Sequence, residues 1–205
     1  MAKSELTRRT FVCAGVAVAA GIITGCVGRT ANAETTYVRP PLVSNDTLFT
    51  AQCIKCERCT SICPQNVIKP VGIEGGFIQA RSPQMNFKTN YCTFCNLCVE
   101  VCPTGALTYA DPDNPTSGRI GCAYVHTDAC LAFIDYGACG ICIDTCEYKA
   151  LSFDNQHRPV VDESKCNGCG KCEYICPANI NTRFDGADYR GIQVISETAL
   201  SHKEG

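Results

Sequence analysis

The stretch CTFCNLCVEVCP, residues 92–103, places four cysteines within eleven residues, and Pro103 follows them directly. Their spacing is C-x2-C-x2-C-x3-C. Cysteines this close together are poorly arranged for disulfides, because bonded cysteines need suitably separated Cα atoms and correctly aimed Cβ atoms. The same spacing lets one short loop wrap a single metal centre. The stretch therefore predicts metal ligands rather than disulfides.

The pattern occurs four times, and we call the copies runs 1 to 4 in chain order. Run 3 differs from the others, because its first gap widens to eight residues and Glu147 stands where they have proline. The runs span residues 53–63, 92–102, 130–146 and 166–176 and contain sixteen of the nineteen cysteines. The predicted ligands are Cys53, Cys56, Cys59, Cys63, Cys92, Cys95, Cys98, Cys102, Cys130, Cys139, Cys142, Cys146, Cys166, Cys169, Cys172 and Cys176.

Iron–sulfur clusters explain this spacing better than zinc does. A structural zinc site usually takes two cysteine pairs separated by about a dozen residues or more. In runs 1, 2 and 4 a third cysteine follows the first pair at once, and a fourth follows after three residues. This is the spacing of bacterial ferredoxins, in which three cysteines bind one 4Fe–4S cluster and the fourth binds a second cluster. Four runs therefore predict four 4Fe–4S clusters.

Composition argues for a metal-stabilised protein without catalysis of its own. The 205 residues include no tryptophan, and cysteine inflates the 45% hydrophobic fraction, so the apolar core is thin and needs metal centres to support it. The net charge is −2, and Lys and Arg do not cluster after the N-terminal segment, which argues against a nucleic-acid partner. The sequence has no nucleophile elbow, phosphate loop or dinucleotide fingerprint.

Residues 1–33 are predicted to be a signal peptide. Arg8 and Arg9 precede an apolar run at 11–23, and small residues follow as a cleavage site. The segment resembles a twin-arginine signal, and its apolar run is shorter than the roughly 20 residues that span a bilayer. This route exports folded proteins, so clusters can be inserted before the cysteines meet an oxidising compartment. We therefore expect residues 34–205 to form a periplasmic domain.

A second cleavage position is open. The segment ITGC, residues 23–26, resembles a lipoprotein signal. Cleavage there would leave Cys26 as a lipidated N-terminus that tethers the protein to the outer face of the cytoplasmic membrane. Cleavage after Ala33, which we favour, leaves a soluble mature chain that is expected to act at the periphery of the membrane.

The segment between runs 3 and 4 predicts a β-hairpin, because two apolar stretches flank a polar turn at 155–157. Similar material follows run 2, with a turn rich in Pro, Asn, Asp and Gly at 111–118. No long helical periodicity appears after the signal. The expected fold class is α+β, with two ferredoxin-like modules that each bind two clusters.

The segment Val38–Pro41, VRPP, precedes run 1. With the twin-arginine signal and the stretched third run, it makes the chain similar to the NapG/MauM family of ferredoxin-type proteins. The resemblance implies an exported four-cluster protein that takes electrons from a membrane-bound ferredoxin-type quinol dehydrogenase and passes them toward a periplasmic reductase, typically nitrate reductase. A second interpretation is the iron–sulfur subunit of an exported molybdopterin oxidoreductase.

The sequence leaves two points open. Run 1 can share ligands with run 2 and run 3 with run 4, or runs 1 and 4 can pair around runs 2 and 3, and the resemblance weakly favours the nested arrangement. Cys122, outside the runs, is expected to pack as a small apolar side chain, with the alternative that it is a reserve ligand for run 3.

Overall fold

The computed structural model describes residues 37–41, 43, 45–109, 118–134, 139–178 and 190–201. The predicted signal peptide with Cys26 and most of the predicted turn at 111–118 lie outside these residues. The described α-helices are α1 Asp46–Gln52, α2 Arg58–Ile62, α3 Leu97–Glu100, α4 Leu131–Ile134, α5 Ile141–Thr145, α6 Lys171–Ile175 and α7 Glu197–Ser201. The described strands are β1 Ile68–Pro70, β2 Pro83–Met85, β3 Cys122–Val125, β4 Leu151–Phe153, β5 Pro159–Val161 and β6 Ile192–Ile195. Among the described residues, no helix has the length and apolarity that a membrane crossing requires.

Each run contains a short helix before its last cysteine, namely α2, α3, α5 and α6 in runs 1 to 4, and run 3 also contains α4. Three of them end directly before the last cysteine of the run, and Cys63, Cys146 and Cys176 have β-like backbone with ψ of 111°, 104° and 119°. In runs 1 and 4 a proline follows this cysteine, and proline disfavours helical backbone at the residue before it. The chain therefore leaves the helix at the fourth cysteine of the run.

Three antiparallel strand pairs connect or flank the runs. The β1–β2 pair lies between runs 1 and 2, with Ile68 opposite Met85. The β4–β5 pair lies between runs 3 and 4, with Leu151 opposite Val161, and confirms the hairpin predicted around the turn at 155–157. Strand β3, in the segment after run 2, does not form a local hairpin but pairs with β6, far along the chain. The mixture of helices and strands confirms the α+β class.

Two apolar clusters form the core, one for each pair of neighbouring runs. In the first cluster, Phe49, Val67, Phe87 and Leu107 are buried, and cysteines of runs 1 and 2 pack against them. In the second cluster, Ala123, Leu151 and Ile192 are buried, and cysteines of runs 3 and 4 pack against them. Most of the first cluster comes from residues 37–109, which we call module 1, and the second comes from residues 118–201, which we call module 2. Ile120 and Val194 of module 2 also pack in the first cluster.

Arg39, in the VRPP segment, is a buried cation at the base of module 1, with 5% of its surface exposed. Its guanidinium donates to Ser82 Oγ and to the Pro83 carbonyl, each at 3.0 Å. It also donates to the Asp46 carboxylate and to Gln79 Oε1, each at 2.5 Å. The segment after Tyr37 is therefore fastened to helix α1 and to the start of β2.

Candidate metal centres

The loop around the second cysteine has the same backbone shape in runs 1, 2 and 4. The residues on either side of this cysteine have positive φ, namely Lys55 and Glu57 in run 1, Phe94 and Asn96 in run 2, and Gly168 and Gly170 in run 4. Alternating left- and right-handed residues turn successive N–H groups toward the inside of a loop, where they stabilise negative charge. Run 3 departs from this pattern, because Gly140 has φ −141°.

Run 4 uses glycine at both of these positions for a steric reason. A Cβ on Gly168 would lie 2.5 Å from the carbonyl oxygen of Gly121, and one on Gly170 would overlap the ring of Phe87. Neighbouring backbone and side chains therefore approach run 4 more closely than a larger residue would permit.

The sixteen predicted ligands fall into four groups of four, which we call sites 1 to 4. In each group, one run contributes its first three cysteines and its partner run contributes its last. Site 1 is lined by Cys53, Cys56, Cys59 and Cys102; site 2 by Cys92, Cys95, Cys98 and Cys63; site 3 by Cys130, Cys139, Cys142 and Cys176; and site 4 by Cys166, Cys169, Cys172 and Cys146.

This grouping settles which runs pair. Runs 1 and 2 exchange Cys63 and Cys102, and runs 3 and 4 exchange Cys146 and Cys176. The nested arrangement that the resemblance favoured is wrong. Neighbouring runs pair because helix α2 packs against α3 and helix α5 against α6, and each packed pair brings the fourth cysteine of one run to the loop of the other.

Backbone N–H groups point at several of these sulfurs. The bonds run from Phe94 to Cys92 Sγ (3.4 Å), from Ala123 to Cys166 Sγ (3.4 Å) and from Ala150 to Cys146 Sγ (3.3 Å). Such bonds favour the thiolate over the thiol, since the sulfur accepts more strongly when it is charged. They equip sites 2 and 4 to hold negatively charged sulfur.

Burial acts in the opposite direction on several of the thiols. It raises the pKa of Cys59 and Cys98 to about 11 and the pKa of Cys92 and Cys142 to about 12. Without bound metal these side chains are neutral thiols near pH 7. Metal binding must therefore displace their protons, and the bound metal's positive charge compensates for the burial of thiolate.

Cys122 is fully buried in strand β3, as expected for a small apolar side chain. Its thiol also hydrogen-bonds to Cys166, the first cysteine of run 4, and this bond is the main cause that lowers the pKa of Cys166. The alternative role as a reserve ligand for run 3 is wrong, because the pairing of β3 with β6 directs Cys122 to site 4. Only the three-dimensional pairing of the strands shows this contact, and no local spacing in the sequence indicates it.

Glu147, which replaces the proline after run 3, joins the two runs of module 2. Its carboxylate accepts a hydrogen bond from Lys171 Nζ, on the helix of run 4. The same ammonium group lies 5.2 Å from the ring centroid of Tyr91, in module 1. The departure at Glu147 therefore has a structural role at the exposed rim of site 4.

The donor set of each site fits a 4Fe–4S cluster. All seventeen described cysteines are free, so every predicted ligand is a thiol available for iron. Within the described residues, no group of three or more His, Cys, Asp or Glu side chains is placed to hold a single metal ion. Four thiols that border one site match, in number and type, the ligands of a 4Fe–4S cluster.

Comparison with known proteins agrees with this assignment. The model of the 4Fe–4S dicluster domain (Fer4_7) matches residues 52–106 and 137–180, which are two dicluster regions that correspond to the two modules. A chain of the formate dehydrogenase–heterodisulfide reductase–formylmethanofuran dehydrogenase complex from Methanospirillum hungatei is 18% identical and covers 78% of this chain and 53% of its own. Its TM-score of 0.27 is too low to bear on the fold.

Three curated relatives match most of the chain at 30% identity. Ferredoxin-type protein NapF of Escherichia coli (strain K12) aligns over 79% of this chain and 91% of its own length. Ferredoxin-type protein NapG of the same organism aligns over 85% and 83%, and the methylamine utilization ferredoxin-type protein MauM of Methylobacillus flagellatus over 84% and 76%. Matched runs, dicluster regions and relatives agree, and the chain belongs to the NapG/MauM-like family of ferredoxin-type iron–sulfur proteins.

Proposed function

We propose that this protein carries electrons through four 4Fe–4S clusters, one at each of sites 1 to 4, and catalyses no reaction of its own. The observation that carries the proposal is the grouping of sixteen thiols into four sets of four. When bound, such clusters each accept and release one electron. The protein fixes their separations and adjusts their potentials through the hydrogen bonds that reach the cysteine sulfurs.

The proposed donor is a membrane-bound ferredoxin-type quinol dehydrogenase, and the proposed acceptor is a reductase in the periplasm, of the nitrate reductase type. Similarity to NapF and NapG supports this pathway. The predicted twin-arginine signal at 1–33 supports a location at the outer face of the cytoplasmic membrane. Lipidation at Cys26 would hold the protein beside its donor.

A second candidate is the iron–sulfur subunit of an exported molybdopterin oxidoreductase. The segment after β1 exposes large apolar side chains, with Ile73 89% and Phe77 88% accessible. Lys55 in run 1 donates to the carbonyl of Ile78, which follows Phe77 in this segment, at 2.7 Å. The segment therefore lies beside site 1. In a permanent complex, the partner subunit would cover such an apolar surface next to site 1.

The experiment that tests the proposal is anaerobic purification of the tagged full-length protein from native membranes. We expect a brown protein that contains iron and sulfide and absorbs near roughly 400 nm, co-purifying with a multi-span quinol dehydrogenase. A colourless protein without iron would refute electron transfer. Recovery of an equimolar molybdopterin subunit without the membrane protein would refute the relay and support the second candidate.

A further inference from the structure

The two modules meet at the ligand loops of sites 2 and 4. The backbone N–H of Cys92, the first cysteine of run 2, donates to the carbonyl of Cys169, the second cysteine of run 4, at 2.8 Å. Both cysteines border one cavity of about 300 Å³, which also contains the other thiols of site 4. One hydrogen bond therefore connects a ligand residue of site 2 to a ligand residue of site 4.

Neither Cys92 nor Cys169 lines site 1 or site 3. Among the described residues, site 1 is lined by residues 49–107, all in module 1, and site 3 by residues 130–192, all in module 2. In contrast, the cavity at site 4 is lined by Tyr91, Cys92 and Thr93 from module 1 together with residues of module 2. Site 4 is thus the site of module 2 that module 1 reaches.

Close packing fixes the position of this contact. Gly170, next to Cys169, has φ +82° and lies against the ring of Phe87, with no room for a Cβ. Lys171 follows Gly170, and its Nζ lies 5.2 Å from the centroid of the ring of Tyr91, the residue that precedes Cys92. The residues beside both partners of the hydrogen bond therefore contact the opposite module.

Arg190 also joins the two modules at this contact. Its guanidinium donates to the Lys88 carbonyl of module 1 at 3.0 Å and to the Glu173 carbonyl on helix α6 at 2.7 Å. The ring centroids of Tyr91 in module 1 and Tyr174 in module 2 lie 6.0 Å apart. A cation held by backbone carbonyls of both modules opposes a change in their separation.

We propose that electrons pass between the modules from site 2 to site 4, through the Cys92–Cys169 hydrogen bond, so that the four sites act in the order 1, 2, 4, 3. The inference rests on the proposed electron-carrier function. In the central step, site 2 loses one electron and site 4 gains it, and no bond breaks and no proton moves. Sites 1 and 3 are the ends of the path, where external donor and acceptor dock.

The test uses electron paramagnetic resonance of the dithionite-reduced full-length protein, because two nearby reduced clusters split each other's signals. Cys56→Ala with Cys139→Ala leaves sites 2 and 4 intact, and Cys95→Ala with Cys172→Ala leaves sites 1 and 3. Each double variant keeps one cluster in each module. We expect split signals from the first variant and unsplit signals from the second. Splitting in the second, or its absence in the first with both clusters present, would overturn the order.

A variant that keeps all sixteen ligands makes the test independent of cluster loss. Gly170→Ala should wedge Phe87 away from run 4 and weaken the splitting between sites 2 and 4, with the iron content unchanged. Gly76→Ala is the matched control, because Gly76 has the same φ of +82° but no atom within 4 Å of an added Cβ. Equal splitting in both variants would overturn the inference. A wild-type protein without iron would instead refute the proposed function.

Discussion

Replacement of Arg39 by alanine is expected to destabilise module 1 by about 3 kcal/mol. The side chain makes two buried hydrogen bonds, to Ser82 Oγ and the Pro83 carbonyl. A buried hydrogen bond to a charged group contributes about 1.5–3 kcal/mol, and the lower value for two bonds gives about 3 kcal/mol. The ion pair with Asp46 adds little, because the aspartate side chain is 55% exposed and solvent screens it.

For the whole domain of residues 34–205, about 1 kcal/mol shifts the thermal midpoint by roughly 2–4 °C. Arg39→Ala should therefore lower the midpoint by roughly 6–12 °C. The assay is anaerobic heating, monitored by the loss of cluster absorbance. All variants are heated at one fixed rate, because cluster loss makes the unfolding irreversible. The midpoint of Arg39→Lys should fall between those of the wild type and Arg39→Ala, since an ammonium keeps the charge but cannot reach all four acceptors.

The matched control is Arg81→Ala. Arg81 pairs with Glu57 at 2.9 Å, but its side chain is 69% exposed, and such pairs contribute less than about 1 kcal/mol. By the same conversion, the midpoints of the two variants should differ by more than about 2 °C. A smaller difference would show that the hydrogen bonds of Arg39 do not stabilise the module.

Three further outcomes are expected. Cys122→Ala should keep all clusters but lower the potential of one of them by roughly 20–40 mV, because the hydrogen bond to Cys166 no longer offsets added negative charge. Redox titration of the variant checks this, and Cys122→Ser, which retains a donor, should restore most of the lost potential. Cys102→Ala should change the spectrum of the same cluster as Cys53→Ala, and a change confined to a different cluster would contradict the pairing of neighbouring runs. Burial raises the pKa of the Cys92 thiol to about 12, so protons compete with iron for this sulfur at any lower pH. Iron release into a chelator should therefore accelerate as the pH falls. A release rate independent of pH between about 5 and 8 would contradict this competition.

The spacing within each run is local, and this is why the sequence alone is enough to predict the candidate ligands. A loop of seven residues can place three thiols around one centre without help from the rest of the chain. The hairpin around residues 155–157 is predictable for the same reason, since its two strands are separated by only a short polar turn. Among the described residues, the cysteines that line site 2 are Cys63, Cys92, Cys95 and Cys98, all from the predicted set.

The pairing of the runs depends on which helices pack together, and no residue within a run encodes it. The connections between runs are long enough for either arrangement. Strand β3 pairs with β6 across about seventy residues, so neither its partner nor the contact between Cys122 and Cys166 has a local signal. Arg39 belongs to a recognisable motif, but its acceptors on Gln79, Ser82 and Pro83 become visible only when the segment folds back on module 1.

The position of strand β6 has a consequence for biosynthesis. Val194 lines site 4, and Gly191 and Ile192 line site 3, so both metal centres of module 2 are completed by the same late segment. Site 1, in contrast, is complete once residue 107 has been made. While the chain grows on the ribosome, the walls of site 1 can therefore assemble early, whereas those of sites 3 and 4 must wait until nearly the whole polypeptide has emerged. A chain truncated before residue 190 would therefore lack part of the wall of both sites of module 2, together with the Val194 side chain that packs in the first apolar cluster.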